Sequence, residues 1–107
     1  MGYRVIVSDP ANKDLEAAIS YAATTLQAPS AASSLLDTFE EKLVLLADNP
    51  RLFGVDMLLS EAVHKQVRRC AVKRYGIYCT IDESDMVVTN VAFAHGLRDI
   101  PKLMNDR

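Results

Sequence analysis

Near the end of the chain, His95-Gly96-Leu97-Arg98-Asp99 sets an imidazole, a guanidinium and a carboxylate within five residues. An imidazole exchanges a proton near neutrality, and a guanidinium holds an anion beside it. His95 and Arg98 are therefore candidates for proton transfer on an anionic substrate. The plainer reading makes this a strand ending, with Arg98 and Asp99 capping the strand and His95 as its polar terminus. Composition alone favours the plainer reading. A second constellation is Lys65, Arg68, Arg69, Lys73 and Arg74, which spans ten residues without an acid. Guanidiniums suit phosphate or carboxylate because they donate two parallel hydrogen bonds. Equally, such a run suits a solvated strand that charge protects from edge pairing. If it is a strand, Arg68 and Arg69 point to opposite faces.

Other chemistries find little footing. The chain has no Gly-rich phosphate loop, no Ser-x-x-Lys and no Gly-x-Ser-x-Gly element. His64, Cys70, Cys79 and His95 match no compact zinc spacing, so no metal and no cofactor is expected. His64 reads as a surface residue at a strand entry. Asp82, Glu83 and Asp85 read as a solvated turn, since the spacing and glycine of a calcium loop are missing. If a hairpin turns near Arg74-Tyr75, Cys70 and Cys79 would face each other across it, where a disulfide is the alternative to free thiols. With no secretory context they read as reduced thiols in a cytoplasm.

The elements that must position these residues follow from periodicity. Residues 3–7 are a short β-branched strand, and Ser8-Asp9-Pro10 starts a helix. Leu15, Ile19, Ala22 and Leu26 recur at helical spacing and predict a helix from about Pro10 to Gln27. A second helix begins at Pro29 or Ser30, carries Ala32, Leu35, Leu36, Phe39, Leu43 and Leu46 as a stripe, and ends near Asp48-Asn49-Pro50. The short connection makes the two an antiparallel helical hairpin. Arg51 to Glu61 shows no period and contains Gly54, which predicts a loop or irregular turn. Lys65–Val72, Tyr75–Ile81 and Met86–Ala94 are strands, the last two joined by the acidic turn. Tyr75, Ile77, Cys79 and Ile81 are expected on one face of the second of these. Val87, Val91, Phe93 and His95 are expected on one face of the third.

The fold class is α+β: a helical hairpin on one face of a mostly antiparallel sheet of about four strands. The first strand would lie at an edge or beside the last. At 107 residues, half of them apolar, the chain reads as one domain over residues 1–107. No apolar run reaches the length of a membrane span. Charge is unevenly placed: residues 9–61 carry nine acids and three bases, residues 62–107 eight bases and five acids. An anionic partner should meet the second half, while a net charge of −2 argues against a general nucleic-acid binder.

The order of features resembles one family. Tyr3-x-Val5-x-Val7-Ser8 leads to Ala11, Asp14-Leu15, Ile19 and Tyr21. A second helix with Ala32, Leu35-Leu36 and Leu43 closes at Pro50, with Gly54 beyond. Then come the basic strand, Tyr75-x-Ile77-Tyr78 with Ile81-Asp82, a Val-rich strand and His95-Gly96-x-Arg98-Asp99. From Tyr3 to Leu103 this resembles the RelE/ParE superfamily of bacterial type II toxin–antitoxin toxins, the plasmid-stabilisation proteins. The resemblance implies a growth-inhibiting toxin neutralised by a cognate antitoxin. ParE-like members inhibit DNA gyrase by binding. RelE-like members cleave mRNA on the ribosome without a metal, using the RNA 2′-hydroxyl.

The ParE-like reading is preferred, because the His95–Asp99 ending resembles that branch and three nuclease features are missing. RelE-like nucleases usually carry an arginine just before the apolar-Tyr pair of the middle strand. Here Tyr75-Gly76 precedes Ile77-Tyr78, and Arg74 comes earlier. They also keep a tyrosine after the last strand, absent from Ile100 to Arg107, and they are strongly basic. In the preferred reading Arg68, Arg69, Lys73, Arg74, Tyr75, Arg98 and Asp99 contact the target or antitoxin. In the nuclease alternative, with ribosome and mRNA as partners, His95, Arg98, Arg69 and Arg74 are catalytic. A non-toxic relative that only binds antitoxin is a third reading, and homodimerisation is left open.

Overall fold

A four-stranded sheet organises the chain, in the order β1-β4-β3-β2. The computed structural model describes residues 2–96 and 98–107; Met1 and Leu97, the latter inside the His95–Asp99 string, lie outside the described residues. Strand β1 (Arg4–Val7) runs parallel to β4 (Val87–His95), so it is at an edge and beside the last strand at once. Strands β2 (Arg68–Val72) and β3 (Tyr75–Asp82) form an antiparallel hairpin, and β3 pairs antiparallel with β4. The β2–β3 turn is the two residues Lys73 and Arg74, with Lys73 at φ 55.

Helix α1 (Asp9–Ser20) starts as the sequence predicts: the Ala11 N–H donates to Ser8 Oγ at 3.2 Å, and Pro10 occupies the first turn. Its α-helical geometry stops earlier than the apolar spacing predicts. Tyr21–Thr25 form a π turn, closed by the Leu26 N–H on Tyr21 O at 3.0 Å. The Thr24 hydroxyl donates to Ser20 O at 2.6 Å and competes for that carbonyl, a local reason for the widened turn. Helix α2 (Pro29–Asp48) returns antiparallel. Leu15 and Ala18 of α1 and Leu35, Phe39 and Leu46 of α2 pack on Cys70, Val72, Ile77, Cys79, Val88 and Phe93. Both cysteines are free and buried; burial raises the Cys70 thiol, and burial with Cys70 beside it raises Cys79 to about 12.

Two further regions depart from expectation. Residues 51–61 are not a loop: after a 3-10 turn at Pro50–Leu52, helix α3 runs from Met57 to Val63. Asp56 caps it, accepting from the Leu59 N–H at 3.0 Å. Seven residues with one buried side chain, Leu59, are too short to write a period, and Met57 and Leu58 are 73% and 82% exposed. His64 is the left-handed residue that ends α3, at φ 58, rather than a strand entry.

The second correction concerns the faces of β4. Tyr78 sits opposite Ala92 but Cys79 opposite Asn90, so Val91 is an unpaired bulge. The extra residue shifts the pleat by one. Phe93 and His95 stay on the helical-hairpin side, where Val88 joins Phe93, while Val91 packs on the other side with Ala92 and Ala94. Val87, adjacent to Val88, alternates to that other side. There Leu59 of α3 meets Ile100 and Met104 of a fourth helix, α4 (Ile100–Asn105), over Val67 and Tyr78. No helix among the described residues is long and apolar enough to cross a membrane.

Candidate functional site

The strand pleat divides the basic residues before any chemistry begins. Cα register places Arg68 opposite Cys79 and Arg69 opposite Tyr78, so the two guanidiniums leave opposite faces. Arg68 turns to the helical-hairpin side, where its Nη1 donates to Phe53 O at 2.7 Å and its Nε is buried without a partner. That role is structural: it ties the incoming loop to the edge strand.

Arg69 lies along the other face. Its Nε donates to Tyr78 Oη at 3.2 Å, its Nη2 to Tyr75 O at 3.4 Å, and its Cζ stands 5.9 Å from the Tyr78 ring centroid. Gly76 makes this possible. A Cβ there would stand 2.7 Å from Arg69 Nε and 3.1 Å from Tyr78 Cε2. A glycine within a strand is the sequence's sign of such a close approach. Arg69, Tyr78 and Arg98 line a cleft of about 410 Å³ between α3, α4 and the sheet.

His95 stands elsewhere. It ends β4 opposite Tyr75, on the face that bears Phe93 and Ile77. Tyr75 stacks on Phe93 at 5.0 Å and 2°, and meets the His95 ring edge-on at 5.4 Å and 78°. Phe39 of α2 closes on the far side of Phe93 at 5.3 Å. The aromatic column thus runs from the helix core out to His95. Lys73, Arg74, Tyr75 and His95 line a cavity of about 640 Å³ at the end of the helical hairpin, and His95 and Arg98 line a smaller one of about 290 Å³ along α1.

The four residues of the nuclease alternative do not share one of these three cavities: Arg69 and Arg98 line the first, Arg74 and His95 the second, and His95 and Arg98 the third. Arg69 faces one side of the sheet, His95 the other, and Arg98 borders a cavity on each. Asp99 caps α4 rather than the strand, accepting from the Lys102 N–H at 3.2 Å. Glu83 of the acidic turn takes the Tyr3 hydroxyl at 3.2 Å and pairs with Arg51, so that turn ties the sheet to the loop after α2. Among the described residues no group of three His, Cys, Asp or Glu stands ready for a metal.

Sequence reasoning missed one constellation. Strand β1 ends at Val7 opposite Asn90, which leaves the β4 backbone groups past that point without a neighbouring strand on that side. Phe93 N–H donates to Asp14 Oδ2 at 3.1 Å, and Arg107 Nη1 donates to Val91 O at 3.0 Å. Arg107 also grips Asp14 with both terminal nitrogens, at 2.6 and 2.7 Å. An acid on α1 and a base 93 residues later carry no shared local pattern, so nothing in the sequence joins them.

Compared with known families, residues 5–100 match the model described as ParE toxin of type II toxin-antitoxin system, parDE. No curated protein matches the chain.

Proposed function

The chain belongs to the ParE toxin family of type II toxin–antitoxin systems, and from that premise we propose that it inhibits DNA gyrase by binding. As a toxin of this family it implies a cognate antitoxin. The observation that carries the gyrase reading is the separation of His95 and Arg69 on opposite faces of the sheet. A nuclease that relied on both would need the imidazole and the phosphate-holding guanidinium at one phosphodiester. Here the cations are spread around the β2–β3 turn and the end of β4, an arrangement suited to contacting a protein surface. Lys73, Arg74, Tyr75 and Arg98 would carry the contact, with Arg69 at its far side.

One observation favours the second reading, ribosome-dependent mRNA cleavage. Arg69 crosses over Gly76, the position where RelE-like nucleases usually carry their own arginine, and so brings a guanidinium to that place from the neighbouring strand. With Arg98 across the cleft, it would stabilise charge on a bound phosphate. Purified protein added to a gyrase supercoiling reaction should block supercoiling at stoichiometric excess. Unimpaired supercoiling, together with primer-extension stops on translated message, would replace the first reading by the second. Unimpaired supercoiling with intact message would leave a relative that binds only its antitoxin.

A further inference from the structure

Helix α3 buries Leu59 and turns two large apolar side chains, Met57 and Leu58, out to solvent. A single exposed leucine needs no explanation. Two adjacent apolar residues on one helical turn, at the mouth of a charged cleft, mark a surface that is wet until a partner covers it. Leu58 borders the cleft of about 410 Å³ and shares it with Ile100 and Pro101 of α4. The polar part of the lining is cationic. Arg69 and Arg98 supply it, and Arg69 is anchored through Nε on Tyr78 Oη and Nη2 on Tyr75 O. Gly76 keeps that place open, since a Cβ there would stand 2.7 Å from Arg69 Nε. Among the described residues, the carboxylate of the lining is Asp56, already engaged by the Leu59 N–H as the cap of α3.

We propose that this cleft receives an acidic segment of DNA gyrase, with a carboxylate at Arg69 and Arg98 and an apolar neighbour against Met57 and Leu58. The proposal rests on the gyrase reading above. It extends that contact from the β2–β3 turn, past Arg98, onto α3 and the opposite face of the sheet. Charge complementarity selects the occupant: in a chain of net charge −2, the cleft offers two guanidiniums beside an apolar edge. A guanidinium takes a carboxylate through two parallel hydrogen bonds, and the anchored Arg69 has little rotamer freedom left to lose. A nucleic-acid backbone fits less well. It calls for a track of cations, whereas Asp56 lines this cleft and Asp99 caps α4 next to Arg98. A second copy docked about a two-fold axis through α3 would set these guanidiniums against their own kind.

The test measures the affinity of the full chain for purified DNA gyrase, with and without DNA, beside inhibition of supercoiling. Leu58→Asp puts a carboxylate at the mouth of the cleft and should weaken binding about 30-fold. The site is exposed and lies in the first turn of α3, where an acid favours the helix, so the fold is kept. Arg69→Gln/Arg98→Gln should weaken binding by a similar factor. Val44→Asp, the same kind of change on the exposed side of α2, should leave affinity within about threefold. Circular dichroism of each variant checks folding. Tight binding by either cleft variant overturns the cleft assignment and leaves the gyrase reading intact. An equal loss in Val44→Asp overturns it too, because the effect would then be bulk charge. Losses that appear only with DNA present would assign the cleft to a nucleic-acid backbone and overturn the protein partner. Failure of the unmodified chain to bind or inhibit gyrase overturns the gyrase reading itself, and the proposal with it.

Discussion

The two faces of the sheet are covered in different ways, and the difference sets how firmly each is held. On one face, 32 residues of α1 and α2 lay a broad apolar stripe over Cys70, Val72, Ile77, Cys79, Val88 and Phe93. On the other, two short helices of seven and six residues clasp Val67, Tyr78, Ala92 and Ala94 through Leu59, Ile100 and Met104. A long stripe buries enough area to hold without specific polar contacts. Short helices do not, so the second face adds two caps, Asp56 on α3 and Asp99 on α4, and one ion pair, by which Arg107 reaches Asp14 of α1.

The largest expected effect tests that asymmetry. Phe93 is 2% exposed and packed between the rings of Phe39 and Tyr75. Phe93→Ala should cost about 4 kcal/mol in urea unfolding, from lost transfer free energy and the cavity left behind. Met104 is 8% exposed on the six-residue α4. Met104→Ala should cost about 2 kcal/mol or less, because a terminal helix can shift to close the gap. Equal losses would mean that the clasped face is as firmly set as the other.

The same asymmetry explains what the sequence reveals. Leu35, Phe39, Leu43 and Leu46 repeat over three turns, so the helical hairpin is legible from spacing alone. Tyr75 to Ile81 alternate cleanly because β3 is central and regular there. The β4 face reads wrongly beyond one point because a single extra residue, Val91, reverses the alternation without any marker in composition. Helices α3 and α4 are hidden for a different reason: each buries one or two side chains, too few to set a period. Of the site, the opposite pointing of Arg68 and Arg69 follows from strand pleat, and Gly76 hints at a close approach. The division of Arg69 from His95 needed the register.

Next in size comes a pH effect confined to the hairpin-side core. Cys79 is fully buried, with its thiol raised from 9.0 to about 12 by burial and by Cys70 beside it. The unfolded chain loses that proton near pH 9 while the folded chain keeps it. Stability contributed by the neutral thiol is therefore complete below pH 9 and falls as pH rises toward 12, by about 1.4 kcal/mol per unit. Cys79→Ser should flatten this part of the pH profile of unfolding. A profile unchanged by the substitution would place the alkaline loss in other groups.

The smallest effect is local and belongs to the clasped face. Asp14 and Arg107 are 13% and 22% exposed at their side chains, sheltered enough for their hydrogen bonds to count. Together they satisfy two backbone groups of β4, Phe93 N–H and Val91 O, that lie past the end of β1. Asp14→Asn removes the charge of the grip and should cost about 2 kcal/mol. That loss should appear where the grip acts, as faster amide hydrogen exchange in α4 and around Phe93, with the α2 amides little changed. Because α4 supplies Ile100 and Met104 to the clasp, its loosening bares Tyr78, Ala92 and Ala94 without unfolding the helical hairpin. Exchange that quickens equally in α2 would show the two faces to be one cooperative unit, and the asymmetry drawn from their packing would fail.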